Sequence, residues 1–238
     1  MGARGVRALL MGGQACVLYG AAEFSRDTDL AILADVPNLV RLKRALDDLQ
    51  AEVIAVPPFE LRYLRKGLAV HFRCQHPEAP RMRIDVMAKM RGVEPFARLW
   101  RRRTTVESST DIAYEVLSLP DLVRSKKTQR DKDWPVIRRL VEAHYFQNRA
   151  HPTQAQVEFW LRELRTPELL IEVARTRPRH CRRLVSERRL LLHAIGEETE
   201  KLERALAEEE AAVREEDRRY WRPLREELER LRRAAHRA

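Results

Sequence analysis

The sequence predicts an α+β fold, in which a small mixed sheet with flanking helices is followed by an all-helical C-terminal region. Three observations predict it. Short apolar runs separated by turn-forming residues fill the first half of the chain. From Pro120 the apolar spacing becomes helical. After Gly196 the sequence is dense in Glu, Arg, Leu and Ala, as in a long solvated helix. The expected organisation is a sheet domain over 1–118, a helical domain over 119–195 and a long charged helix over 196–238.

Val6 to Met11 is an apolar run ending in Gly12-Gly13, and Gln14 to Tyr19 then has helical character, so the start reads as strand, tight turn and helix. Asp29 to Leu33 reads as a second strand. Pro37 suits the first turn of an amphipathic helix carrying Leu39, Leu42, Leu46 and Leu49 on one face. Leu68 to Phe72 and Met82 to Met87 are two further strands, and Ile112 to Leu117 is another short one. Beyond Pro120, helices are expected around Leu122, around Ile137 to Val141, from a Thr153 cap to Leu164, and from Pro167 to a break near Pro178. Pro223 should interrupt or kink the last helix.

Composition narrows the classes. Of 238 residues, 44% are hydrophobic and 34% charged, which describes a soluble globular protein. There is no apolar run of membrane-spanning length and no secretory signal pattern at the start, and three widely spaced cysteines suggest reduced thiols; a cytoplasmic location is the expectation. The net charge is +10. From Gly196 onward there are 11 Lys and Arg against 13 Asp and Glu, whereas the rest carries 35 against 23. The positive field therefore belongs to the body of the chain, where it would steer a polyanion.

The chemistry concentrates in Gly12-Gly13-Gln14-Ala15 and Ser25-Arg26-Asp27-Thr28-Asp29-Leu30. Two glycines between strand and helix allow a tight turn and a close backbone approach to an anion. Asp27 and Asp29 are two apart on a strand, so both carboxylates point to one face and can share a hard cation. Ser25 can donate to a phosphate oxygen. A third carboxylate, Asp85, interrupts the apolar run Met82 to Met87, where it should be paired or metal-bound. The plain alternative for Asp85 is a salt bridge to one of the many arginines. His71, His76, His144, His180 and His193 form no H-x-x-x-H pair and read as ordinary surface or core residues.

The order of Met11-Gly12-Gly13, Ser25, Asp27, Asp29 and Asp85 resembles the nucleotidyltransferase superfamily, whose core is a polymerase-β-like palm. With Gly20 it looks closest to the bacterial branch that includes the AbiEii-type toxins. Many members of that branch carry an Arg two residues before the Ser or Thr. Here that position is Glu23, so the corresponding phosphate contact is not carried over. A second match is Leu117 to Lys127 followed by Arg130-Asp131-Lys132-Asp133, similar to a helix in that branch whose Lys contacts the nucleotide. On this reading Lys126 and Arg130 share a helix face and reach a triphosphate together, with Asp133 orienting Arg130.

The resemblance implies Mg²⁺ or Mn²⁺ held by Asp27, Asp29 and Asp85, an NTP as substrate, and transfer of a nucleoside monophosphate with release of pyrophosphate. The acceptor class it suggests is tRNA or another RNA, with Arg98, Arg101, Arg102 and Arg103 around Trp100, and Arg175 to Arg183, as candidate contacts. Those arginines could equally pair with the abundant Glu. Other expected partners are an antitoxin or a second copy docked through the C-terminal helix. The competing readings are a catalytically silent nucleotide-binding or antitoxin-like module of the same fold, and an interaction protein working through its last helix.

Overall fold

A computed structural model gives the fold and describes residues 1–107 and 113–237. It is an α+β structure comprising two compact units. One contains Met1–Ser125 and the chain from Arg219 onward, and the other contains Lys126–Arg218. The compositional boundaries expected at 118 and 195 differ from these cuts, the second of which falls inside the last helix.

The first unit is built on a seven-stranded sheet. Its strands are β1 (Ala8–Met11), β2 (Asp27–Ile32), β3 (Ala51–Val53), β4 (Val70–Cys74), β5 (Arg83–Met87), β6 (Thr104–Glu107) and β7 (Ala113–Val116), in the order β3-β4-β5-β2-β1-β7-β6. The sheet is mixed: β2 runs parallel to β5, and β1 parallel to β7, while the other neighbours are antiparallel. The strand expected over Ile112 to Leu117 is β7, and its Ile112 end lies outside the described residues. Strands β3 and β6 show no apolar alternation in sequence, since Glu52 and Val53 of β3 are both exposed and Val106 is the one apolar residue of β6, which is why the sequence did not reveal them.

Helices of this unit are α1 (Gly12–Leu18), α2 (Val36–Asp48), α3 (Leu61–Lys66), α4 (Phe96–Arg101) and α5 (Leu119–Lys126), whose last residue begins the other unit. Helix α2 starts as expected, with Pro37 in its first turn and the Asp35 carboxylate accepting from Asn38 N–H at 2.7 Å. The main core lies on one face of the sheet. Leu30 and Ile32 of β2, Val70, Phe72 and Cys74 of β4, and Ile84 and Val86 of β5 pack with Leu42, Ala45, Leu46 and Leu64 of α2 and α3. Because side chains alternate along a strand, the residues between these point to the other face. Asp27, Asp29, His71, Arg83 and Asp85 are among them.

The second unit is helical: α6 (Asp133–Asn148), α7 (Gln154–Glu163), α8 (Pro167–Thr176), α9 (Pro178–Leu184), α10 (Leu191–Ile195) and most of α11 (Thr199–Ala235). Thr153 caps α7 in a reciprocal capping box with Gln156. Buried Trp134, Ile137, Leu140, Val141, Tyr145, Trp160 and Leu161 build its core. Helix α11 runs for 37 residues with Pro223 inside it, so of the interruption or kink expected there the interruption does not occur. Among the described residues, no helix is long and apolar enough to cross a membrane.

Candidate functional site

The two glycines do not form a turn ahead of the helix, as the sequence suggested; they are the first two residues of α1. Gly12 has φ +66°, a conformation that disfavours any residue with a β-carbon. The anion they approach is the protein's own. A β-carbon on Gly12 would stand 1.8 Å from Oδ2 of Asp29, and one on Gly13 would stand 2.3 Å from Oγ of Ser25. Gly13 N–H is directed at Asp29 Oδ2 across 3.4 Å, long for a hydrogen bond. Glycine is thus required so that Ser25 and Asp29 can lie directly against the start of α1.

Strand register gathers the carboxylates. Met11 of β1 pairs with Asp29, and across the parallel β2–β5 ladder Asp29 is opposite Asp85 while Asp27 is opposite Arg83. On the far side His71 of β4 is opposite Asp85. Ser25, immediately before β2, turns its hydroxyl to donate to the Asp27 carbonyl at 3.2 Å. Gly12, Gly13, Ser25, Asp27, Asp29 and Asp85 are therefore brought to one region of one sheet face.

Asp85 is not sunk in the core. Its neighbours Ile84 and Val86 are, and alternation puts the carboxylate on the opposite face with 17% of its side chain exposed. Arg83 grips it with both ends of the guanidinium fork, Nε to Oδ1 at 2.8 Å and Nη2 to Oδ2 at 3.0 Å. His71 Nδ1 lies 2.8 Å from the same Oδ1. Burial acts to raise the Asp85 pKa, but the hydrogen bonds from His71 and Arg83 outweigh it and hold the carboxyl below its ordinary value. Arg83 is pushed the other way: its bond to Asp85 dominates, burial opposes it, and the charges of Asp85, Asp27 and Asp29 add to the rise. The guanidinium thus bonds Asp85 and lies in the field of Asp27 and Asp29.

Sequence reading did not single out Arg83 and His71. The signal was there in the period: Arg83 precedes Asp85 by two, and strand alternation puts both on one face. His71 needed the β4–β5 pairing, which local pattern does not carry.

The donor set at Asp27 and Asp29 is all oxygen and suits a hard divalent cation, and the space a side chain at position 12 would need is filled by the Asp29 carboxylate itself. Asp85 currently directs its oxygens to Arg83 and His71. Consistent with that, no group of three or more His, Cys, Asp or Glu is arranged to hold a metal among the described residues.

Lys126, Arg130 and Asp133 belong to the helical unit and do meet, but not on one helix face. Lys126 is the last residue of α5 and Arg130 lies in the connection before α6. What joins them is Asp133, 2% exposed, which accepts from Arg130 Nε at 2.8 Å and from Thr128 Oγ1 at 2.6 Å, and lies 3.4 Å from Lys126 Nζ. The expected contact between Asp133 and Arg130 is present.

The arginines beside Trp100 are largely occupied by acids. Arg102 makes a two-pronged bond to buried Asp121 at 2.6 and 2.7 Å and also bonds Glu94. Arg103 pairs with Glu115 and stacks 4.3 Å over the Trp100 ring, and Arg98 lies 3.5 Å from Glu94. In the second cluster Arg183 bonds Glu158, while Arg175, Arg177, Arg179 and Arg182 are exposed.

Comparison with family models and with curated proteins found no match for this chain, so its functional assignment rests on the residues themselves.

Proposed function

We propose that this chain is a metal-dependent nucleotidyltransferase, moving a nucleoside monophosphate from an NTP to an acceptor. The observation that carries the reading is the packing of Asp29 and Ser25 against Gly12 and Gly13, with Asp27 and Asp85 on the same sheet face. Three carboxylates gathered on one sheet face cost stability rather than add to it. Like charges so placed repel one another, and Arg83 is needed to offset them.

Asp27 and Asp29, with Asp85, would hold Mg²⁺ or Mn²⁺. When bound, the metal would supply charge neutralisation at the triphosphate and polarise the attacking hydroxyl. The chain's own contributions are orientation and placement. Ser25, whose hydroxyl donates to the Asp27 carbonyl in the free chain, would turn to a phosphate oxygen, and Gly12 lets the Asp29 carboxylate lie against the start of α1. The nucleotide contacts of Lys126 and Arg130 rest on the resemblance alone. RNA is the acceptor class, supported by the exposed arginines of α8 and α9 rather than by the paired ones near Trp100. A toxin-type role, and an antitoxin partner, rest on the resemblance alone.

The test is incubation of the purified chain with labelled NTPs, Mg²⁺ and candidate acceptors, including tRNA. Wild type should transfer label, whereas Asp27→Asn and Asp29→Asn should lose transfer and metal-dependent NTP binding while keeping their circular dichroism. Transfer that survives both substitutions would place the chemistry elsewhere. A second reading, a catalytically silent nucleotide-binding module, is favoured by one observation: Asp85 is fully engaged by Arg83 and His71. NTP binding without transfer to any acceptor would select it.

A further inference from the structure

Two features of the candidate site do not fit together until Arg83 is considered. By the resemblance an arginine for substrate phosphate would stand at position 23, where this chain has the exposed Glu23. Meanwhile the sheet face that carries three aspartates also carries an arginine that no motif demanded. Arg83 sits opposite Asp27 in the β2–β5 ladder and is bonded through Nε and Nη2 to Asp85. Its side chain is 39% exposed, against 17% for Asp85. The guanidinium is therefore at the solvent side of the pair and tethered by a flexible stem, while the carboxylate is fixed on a central strand.

From this geometry we infer that Arg83 is a resident counter-cation with two successive positions. In the metal-free chain it neutralises Asp85 and the adjoining charges of Asp27 and Asp29. A divalent cation entering the carboxylates competes for the same oxygens and displaces it. The released guanidinium stays within reach of its strand position, beside the metal, and there contacts the triphosphate of the nucleotide. It thereby supplies the planar, two-pronged anion contact missing at position 23. His71, bonded to Asp85 Oδ1, stays with the carboxylate and keeps its orientation when Arg83 leaves. The inference rests on the nucleotidyltransferase reading and assigns Arg83 as a nucleotide-binding residue of that site.

The arrangement makes opposite demands of one side chain. A group that competes with the metal lowers metal affinity, and a group that grips phosphate raises nucleotide affinity. A purely structural arginine does neither in that pattern. Binding of Mn²⁺ alone to the full chain, followed by electron paramagnetic resonance, reads the first effect. Binding of a non-hydrolysable NTP analogue at saturating Mn²⁺, followed by calorimetry, reads the second.

For Arg83→Gln the expected result is Mn²⁺ affinity raised roughly tenfold and analogue affinity lowered roughly tenfold, as befits one charge-assisted pair lost and one gained. Arg83→Lys keeps the charge but cannot make the two-pronged bond, so it should move both affinities in the same directions by less. It also serves as the second variant if Gln at this position impairs folding. Unchanged or weakened Mn²⁺ binding in both variants would overturn the inference, and so would unchanged analogue affinity. The underlying reading fails differently: wild type and every Arg83 variant would then show no Mn²⁺ binding that Asp27→Asn and Asp29→Asn abolish.

Discussion

At Gly12 a β-carbon would meet not only Oδ2 of Asp29 at 1.8 Å but also its Cβ at 2.7 Å, and the backbone has φ +66°. Neither obstacle can be relieved cheaply, because Asp29 is anchored in a strand paired on both sides. At Gly13 a β-carbon would meet the Ser25 hydroxyl at 2.3 Å, which can rotate away, and Ser25 Cβ at 2.9 Å, which asks for a small shift of the loop before β2, and φ there is not positive. Gly12→Ala should therefore cost about 3 kcal/mol, from a left-handed backbone plus overpacking, and Gly13→Ala about 1 kcal/mol. Urea unfolding of the two variants measures both, and equal losses would contradict the geometry. A second residue-scale expectation concerns Glu209. Burial acts to raise its pKa, but hydrogen bonding and charge from Arg188, helped by Arg165, bring it below the ordinary value. A depressed folded pKa means the stabilisation is complete above the unfolded value of about 4.3 and is lost as pH falls through the lower folded one. Between pH 6 and 3 the wild type should thus lose stability more steeply than Glu209→Gln, as followed by urea midpoints.

At the scale of elements, what could be read from sequence depended on how far each signal was local. Helix α2 was legible from Pro37 and the leucine stripe, and α7 from Thr153, because caps and amphipathic spacing are written within one segment. The aspartates of β2 were legible because strand alternation is equally local. The pairing of Asp85 with Arg83 and His71 depended on register between strands distant in sequence, and the meeting of Lys126 with Arg130 depended on where α5 stops. A helical wheel continued past Lys126 gave the wrong face, although the shared partner Asp133 was correct for Arg130. Local signals also carry definite energies. In α7 the Thr153 hydroxyl accepts from Gln156 N–H at 3.3 Å, and Gln156 Oε1 accepts from Thr153 N–H at 2.8 Å. Thr153→Ala removes one half of that exchange and should lower stability by about 1 kcal/mol in thermal or urea melts. A loss under a few tenths would mean that water replaces the cap without penalty.

For the whole molecule, the last 43 residues look separable by composition, being net negative beside a strongly positive body, yet both compact units draw on them. In the helical unit Leu202 and Leu206 are buried, and Glu209 accepts from Arg188 Nε at 2.9 Å and Arg165 Nη1 at 2.9 Å. Those arginine side chains are only 6% and 9% exposed. In the sheet unit Glu227 pairs with Lys66 at 2.8 Å, and the Tyr220 hydroxyl lies so close to Gly67 that a β-carbon there would approach it to 2.8 Å. Leu202, Leu206, Glu209 and Glu227 of α11 are thus used internally and are not free for a second copy or an antitoxin. Truncation after Ile195 would strand two buried guanidinium groups, and removing one partner of a buried pair costs about 3 to 5 kcal/mol. Against a typical total of about 5 to 15 kcal/mol, that loss together with Leu202 and Leu206 should abolish cooperative folding of the helical unit. The expected outcome is a truncated chain with no sharp thermal transition by circular dichroism and rapid digestion by protease across 126–195. A cooperative melt close to that of the full chain would show instead that α11 is dispensable. A loss of the proposed transfer activity on this truncation would therefore report unfolding, and single substitutions at Asp27 and Asp29 are the test of where that chemistry would lie.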